Sequence, residues 1–211
     1  MASFYKWYNM RLASHPLLTQ CASTSILFGV GDATAQYISP DPKLKGNYDY
    51  VRTFRMCFHG GVIFAPMVSQ WYKLINNKIS IPGRPFAEAL VRMTADQTIW
   101  APFGIASFYV SMGVLQGHSW DNIKDELRSK YYTTMVGNYM VWPAVQIVNF
   151  RFMPLEYRLL FVNVVSIAWN TFLSWFSATP AAEGLQAIEH AENRLEEVEH
   201  AAGEKITKSL K

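Results

Sequence analysis

Five apolar stretches, roughly residues 17–38, 53–72, 87–114, 131–150 and 158–176, alternate with shorter polar ones along the chain. Each has about the 20 residues that an α-helix needs to cross a hydrocarbon layer of roughly 30 Å. Aromatic residues collect near their ends at Tyr37, Trp71-Tyr72, Tyr131-Tyr132 and Trp175, as an interfacial belt requires. The loops between them carry turn formers: Pro40, Pro42, Lys43, Lys45 and Gly46 in the first, Pro82, Gly83 and Pro85 in the second. The last two stretches are joined by about eight residues and read as a helical hairpin. Gln146, Asn149, Asn163 and Asn170 sit inside it, and Pro143 interrupts its first arm. Lipid-facing anchors do not carry that many amides, so the hairpin belongs to a bundle whose helices bond to one another or line a wet cavity.

Two amphipathic stretches flank these segments. Residues 1–16 hold Phe4, Tyr5, Trp7 and Tyr8 beside Lys6 and Arg11, with no signal-peptide apolar region and no cleavage site, and predict an interfacial helix. From Ser119, Trp120, Ile123 and Leu127 alternate with Asp121, Lys124, Asp125 and Arg128, predicting a helix along the membrane surface before the fourth span. After Pro180, Ile188, Ala191, Leu195, Val198 and Ala202 keep a three-four spacing in otherwise charged sequence. The pattern predicts an all-α protein, an integral membrane helical bundle with four or five transmembrane helices plus interfacial amphipathic helices. It divides into a membrane-embedded domain over 1–178 and a charged soluble tail over 179–211, helical or partly disordered.

Bulk composition adds little to this, but charge distribution adds something. A hydrophobic fraction of 50% is diluted by loops and tail. Residues 1–182 hold 15 Lys or Arg against 9 Asp or Glu, whereas residues 183–211 hold 4 against 7. Basic loops around apolar segments suit anionic headgroups. The basic residues form no dense stripe, which excludes nucleic acid as a partner class. Loop charges are too evenly divided to set an orientation.

Charges inside the apolar segments are the sharpest chemical signal: Asp32, Arg55, His59, Arg92 and Asp96. Four ions facing lipid would cost on the order of 10 kcal/mol, so they must pair, reach the interface or face water. Matching depths in an antiparallel pair predicts an Asp32–Arg55 bridge, and Arg92 and Asp96, four apart, share a face that permits a local pair. With Gln36, Gln97, Asn138, Gln146 and Asn149 they form a candidate pore or intramembrane polar network. The same residues would serve equally to lock helices together with nothing passing. His59 reads as a hydrogen-bonded helix histidine or, alternatively, a proton-sensitive element. Pro66, Pro102 and Pro143 are candidate helix kinks, for packing or for gating. Gly29, Gly31, Gly60 and Gly61 permit close helix approach. Cys21 and Cys57 lie roughly 15 to 20 Å apart along an antiparallel helix pair, too far for an intramolecular disulfide. They read as small packing residues or as redox-sensitive thiols. No catalytic constellation, metal-spaced ligand cluster or phosphate-binding glycine loop is present, so neither an enzyme nor a cofactor is expected.

The hairpin resembles the signature of the Mpv-seventeen and small peroxisomal membrane protein family at Trp142, Pro143, Gln146, Asn149, Phe150, Pro154, Arg158 and Trp169. Earlier blocks are similar to that family as well: Tyr8, Leu12, Pro16, Thr19, Gly31, Asp32 and Gln36; Arg52, Arg55, Gly60, Pro66, Trp71 and Tyr72; Asp96-Gln97 with Pro102. The likeness spans roughly 4–176 and is nearest the fungal mitochondrial, stress-inducible branch. Tyr139 and Phe172 stand where that pattern has Trp and Tyr. The resemblance implies a multi-pass mitochondrial inner-membrane protein (a peroxisomal membrane is the alternative) with channel activity toward small metabolites or ions. It also implies a role in stress response and mitochondrial DNA maintenance, within a homo-oligomer or an inner-membrane complex. A non-conducting scaffold is the competing reading.

Overall fold

The computed structural model describes residues 2–38 and 47–177, with side chains for 6–38 and 47–169. The first loop and the tail after Ser177 lie outside the described residues, as do the side chains of Asn170, Phe172 and Trp175. Helices α1 (Ala2–Ser14) and α2 (Pro16–Ile38) are followed by α3 (Tyr50–Phe58), a π-helical turn (His59–Phe64) and α4 (Ala65–Lys78). Then come α5 (Pro85–Ala95), a second π-helical turn (Asp96–Trp100), α6 (Ala101–Leu115), α7 (Trp120–Phe152), a 3-10 turn (Leu155–Tyr157) and α8 (Arg158–Ser177). No strand occurs among the described residues, so the all-helical expectation holds there.

Local chemistry sets the helix ends. Asp49 caps α3 by accepting from the Arg52 amide at 2.9 Å, and Ser119 caps α7 by accepting from the Asn122 amide at 3.3 Å. Helix α6 stops in a Schellman motif. Gly117, with φ 75°, donates to the Val114 carbonyl at 3.0 Å, and His118 donates to Gly113 at 2.9 Å. A side chain at Gly117 would be strained in this left-handed conformation.

Both π-helical turns end on a proline. The Ala65 amide reaches back five residues to Gly60, and the Ala101 amide reaches back five to Asp96. The next residue is Pro66 in one case and Pro102 in the other, and neither has an N–H to continue the wide register. The helices therefore pass through both predicted kink sites as local widenings, not breaks. Helix α7 runs on through Pro143.

Two differences from the predicted elements stand out. The amphipathic stretch after Ser119 and the fourth apolar segment form one helix, α7, of 33 residues. At ~1.5 Å per residue it is about 50 Å long, because no turn former separates the two parts. Among the described residues only one helix, Pro85–Leu115, is long and apolar enough to cross a membrane by length and composition. Little of that helix is buried inside the bundle, unlike the core helix of a water-soluble domain.

Helix α2 packs against α3, the first π-helical turn, α4 and α8, while α5 and α6 pack against α7. A core of Ala65, Val68, Tyr72, Ile75, Ala89, Phe150, Leu159 and Val162 joins the two groups. Close approach of α2 to the first π-helical turn needs Gly60, where an added Cβ would stand 2.6 Å from Cγ of Phe28. The interior also holds Thr24, Asp32, Gln36, His59, Ser69, Arg92, Asp96, Gln97, Gln146, Asn149, Arg158 and Asn163, nearly as many polar residues as apolar ones. The outside carries large apolar residues on every long helix, with Leu18 at 70%, Phe54 at 69% and Met140 at 79% exposure. That arrangement suits a solvent as apolar as the surface it touches.

Candidate functional site

Two buried carboxylates organise the polar interior. The first, Asp32 on α2, accepts from Arg52 Nε at 2.8 Å, Gln36 Nε2 at 2.8 Å and Thr53 Oγ1 at 2.6 Å. Gln36, one turn further along α2, exchanges bonds with the Asp49 backbone on the far side of the first loop. Tyr48 completes the cluster through a hydrogen bond between its hydroxyl and that of Thr53 at 2.6 Å. The predicted partner, Arg55, is half-buried and makes no ion pair among the described residues. Arg52 takes its place because its position at the start of α3 lets the guanidinium reach Asp32 while 45% of the side chain stays exposed.

The second, Asp96, opens the second π-helical turn and is 1% exposed. Its Oδ1 accepts from Trp71 Nε1 at 2.9 Å, and its Oδ2 accepts from Gln97 Nε2 at 3.0 Å and Gln146 Nε2 at 2.9 Å. Asn149 donates to Gln146 Oε1, and Asn138 donates to Gln97 Oε1. The Gln97 carbonyl, left without an amide by Pro102, accepts from the Tyr139 hydroxyl at 3.1 Å. One network thus ties α4, the second π-helical turn and α7 together.

Arg92 does not pair with Asp96. It bonds Glu88 at 2.7 Å on the opposite side along its own helix, and it donates to the Ile79 carbonyl at 2.8 Å. There it closes the C-terminal end of α4, where unpaired carbonyls favour a cation. Buried Arg158 acts nearby, donating to Asn76 Oδ1 and the Met153 carbonyl.

A cavity of about 670 Å³ lies between the helices. Asp32, His59, Asp96, Gln97, Asn138 and Gln146 line it. Gln36 and Asn149 stand behind the wall, bonded to Asp32 and Gln146 respectively, while Arg55 and Arg92 lie away from it. His59 bonds Ser111 at 2.8 Å and packs edge-on against Phe108. Much of the remaining lining is aromatic or aliphatic, including Phe28, Phe64, Trp100, Phe108 and Trp142. A smaller groove of about 470 Å³ runs along the outside, between Met67, Leu74, Ile99 and Phe103, and Trp100 lines both voids. Trp71 and Trp100 stack there, with ring centres 6.1 Å apart.

Several residues of the site lie outside the candidate polar network read from the sequence: Arg52, Thr53, Trp71, Tyr72, Ser111, and the pair in which Asn163 donates to Thr24 Oγ1 at 2.7 Å. Asn163 carried a usable signal, an amide inside an apolar run. Arg52, Trp71 and Tyr72 carried another, as part of the second block of the family resemblance, whereas only the packing singles out Thr24, Thr53 and Ser111. Cys21 and Cys57 are both free thiols. No group of three or more potential metal ligands occurs among the described residues.

The model of the Mpv17 / PMP22 family matches residues 113–174, which takes in α7 and most of α8. The chain is 44% identical over 171 residues to Protein sym-1 of Neurospora crassa, covering 81% of this chain and 97% of that one. It is 40% identical over 178 residues to Protein SYM1 of Gibberella zeae, covering 84% and 99% respectively. It is 39% identical over 171 residues to Protein SYM1 of Saccharomyces cerevisiae, covering 80% and 87%. No solved structure matches it.

Proposed function

The chain belongs to the Mpv17 / PMP22 family of membrane proteins, and from that premise we propose that it is a multi-pass protein of the mitochondrial inner membrane. In this reading it conducts small metabolites or ions and so serves stress response and the upkeep of mitochondrial DNA. Five rods span the bilayer: α2, the run Tyr50–Lys78, the run Pro85–Leu115, α7 and α8. The domain over 1–178 carries the activity, and the tail over 179–211 is a separate soluble appendage.

The observation that carries this reading is the cavity. Helices held together by polar pairs need no void between them, and a bundle used only for anchorage packs to near-crystalline density. Here about 670 Å³ lies against six of the candidate polar residues. Buried polar groups beside such a space have somewhere to meet solute.

One observation favours the scaffold reading. The Asp32 cluster satisfies its own hydrogen bonds, as a lock between helices would. Flux through purified protein in liposomes separates the two. The pore reading expects solute release above empty vesicles, falling when Asp32 or Asp96 becomes Ala while thermal unfolding stays cooperative. Release at the level of empty vesicles from well-folded protein would leave the scaffold.

A further inference from the structure

We infer that the Asp96 end of the cavity is a binding site for a primary organic ammonium with an apolar body. This inference deepens the solute-path reading and rests on it for access to the cavity. The charges facing the cavity are few. Asp32 and Arg52 neutralise each other at 2.8 Å, and His59 is engaged by Ser111. Asp96 is left as a carboxylate whose partners are all neutral N–H donors, from Trp71, Gln97 and Gln146. Three N–H donors on one carboxyl favour its ionised form, and no cation of the protein neutralises it there. Arg92 and Arg158 are occupied at the end of α4 and do not line the cavity.

A second acceptor is also open. Asn163 is 1% exposed and lines the same cavity. Its Nδ2 is used on Thr24, and its Oδ1 has no hydrogen-bond partner among the described residues. An unpaired buried acceptor is unfavourable until something donates to it. Among the described residues the wall therefore has acceptors to spare and no unpaired cation, which disfavours anions. Trp100, Phe64 and Phe108 supply the faces on which a cation and an apolar body both rest favourably. The volume falls within the roughly 300 to 1,000 Å³ of small-molecule sites. A group carrying N–H donors, positive charge and a short hydrocarbon body answers each of these features.

The test uses the full chain in detergent, with empty micelles subtracted, and three matched probes: 2-phenylethylammonium, 2-phenylethanol and 3-phenylpropionate. Tryptophan fluorescence or calorimetry reads the binding. The ammonium should bind at least about tenfold more tightly than the alcohol, and the carboxylate should not bind measurably. Asp96→Asn should erase that preference and leave the alcohol's affinity nearly unchanged. Asn163→Ala should weaken the ammonium alone, by a few fold. Equal binding of ammonium and alcohol by the unmodified protein overturns the site, whether or not the variants fold, and so does preference for the carboxylate. Ammonium binding without liposome flux would keep this site and remove the pore. Flux without the ranking would keep the pore and remove this site.

Discussion

Asp32 gathers a charged and two neutral donors from two helices, and its own side chain is 1% exposed. Replacing it with Ala removes the acceptor that Thr53, Gln36 and Arg52 share, while Gln36 keeps its bonds to the Asp49 backbone and Thr53 its bond to Tyr48. The expected loss is about 2 to 4 kcal/mol, read as a fall in detergent unfolding temperature. Arg52→Gln removes only a partly solvated ion pair and should cost about 1 kcal/mol. Arg55→Gln should stay within about 0.5 kcal/mol, since no ion pair holds that residue among those described. A larger effect at Arg55 than at Arg52 would contradict the observed pairing. The sequence marks Asp32 as a residue that needs a partner, because an ion in an apolar run cannot be left alone. It does not choose between arginines three positions apart. Depth along the axis is legible from spacing, but the rotation of one helix about its axis depends on everything packed around it. Asp96 shows the same limit. Spacing allowed a pair with Arg92, and Glu88, equally spaced on the other side, took that arginine instead.

Among elements, the two π-helical turns carry the most information. Each is a single-turn widening closed by a proline, and at Pro102 the orphaned Gln97 carbonyl is served from α7 by Tyr139. Tyr139→Phe should therefore cost about 1 to 2 kcal/mol. In a Pro102→Ala background the new amide can serve Gln97 itself, so the same change should become nearly neutral. A double-mutant cycle in unfolding temperature measures this coupling, and additive effects would rule it out. Hydropathy shows where the helices run and flags both prolines. A one-residue widening leaves the apolar period almost untouched, so it has no signature to read. The join between the amphipathic stretch and the fourth span leaves no mark in the sequence for a related reason: change of environment looks like change of element.

On the scale of the molecule, α7 is about 20 Å longer than a hydrocarbon layer of roughly 30 Å. Its first turns, with Asp121, Lys124, Asp125 and Arg128, should stand in water while the part from Asn138 to Phe150 sits in lipid. Hydrogen exchange in nanodiscs should find fast amides over 120–130 and slow ones over 138–150. Uniform protection would contradict this placement. The bundle, the hairpin and the polar composition of the interior were all legible, since each follows from what lipid does to a polar backbone or side chain. The cavity was not. A void is a property of how helices fail to meet, and no local pattern encodes it.

Trp100 touches both the central hollow and the outer groove, so at that point the wall is one ring deep. An acyl tail resting against Ile99 and Phe103 would be separated from the interior by a single pane, braced on one side by the stacked Trp71. Trp71 is also hydrogen-bonded to Asp96, so any tilt of that pane tugs directly on the carboxylate. Sideways pressure from a surrounding bilayer would thereby reach a carboxylate that is 1% exposed.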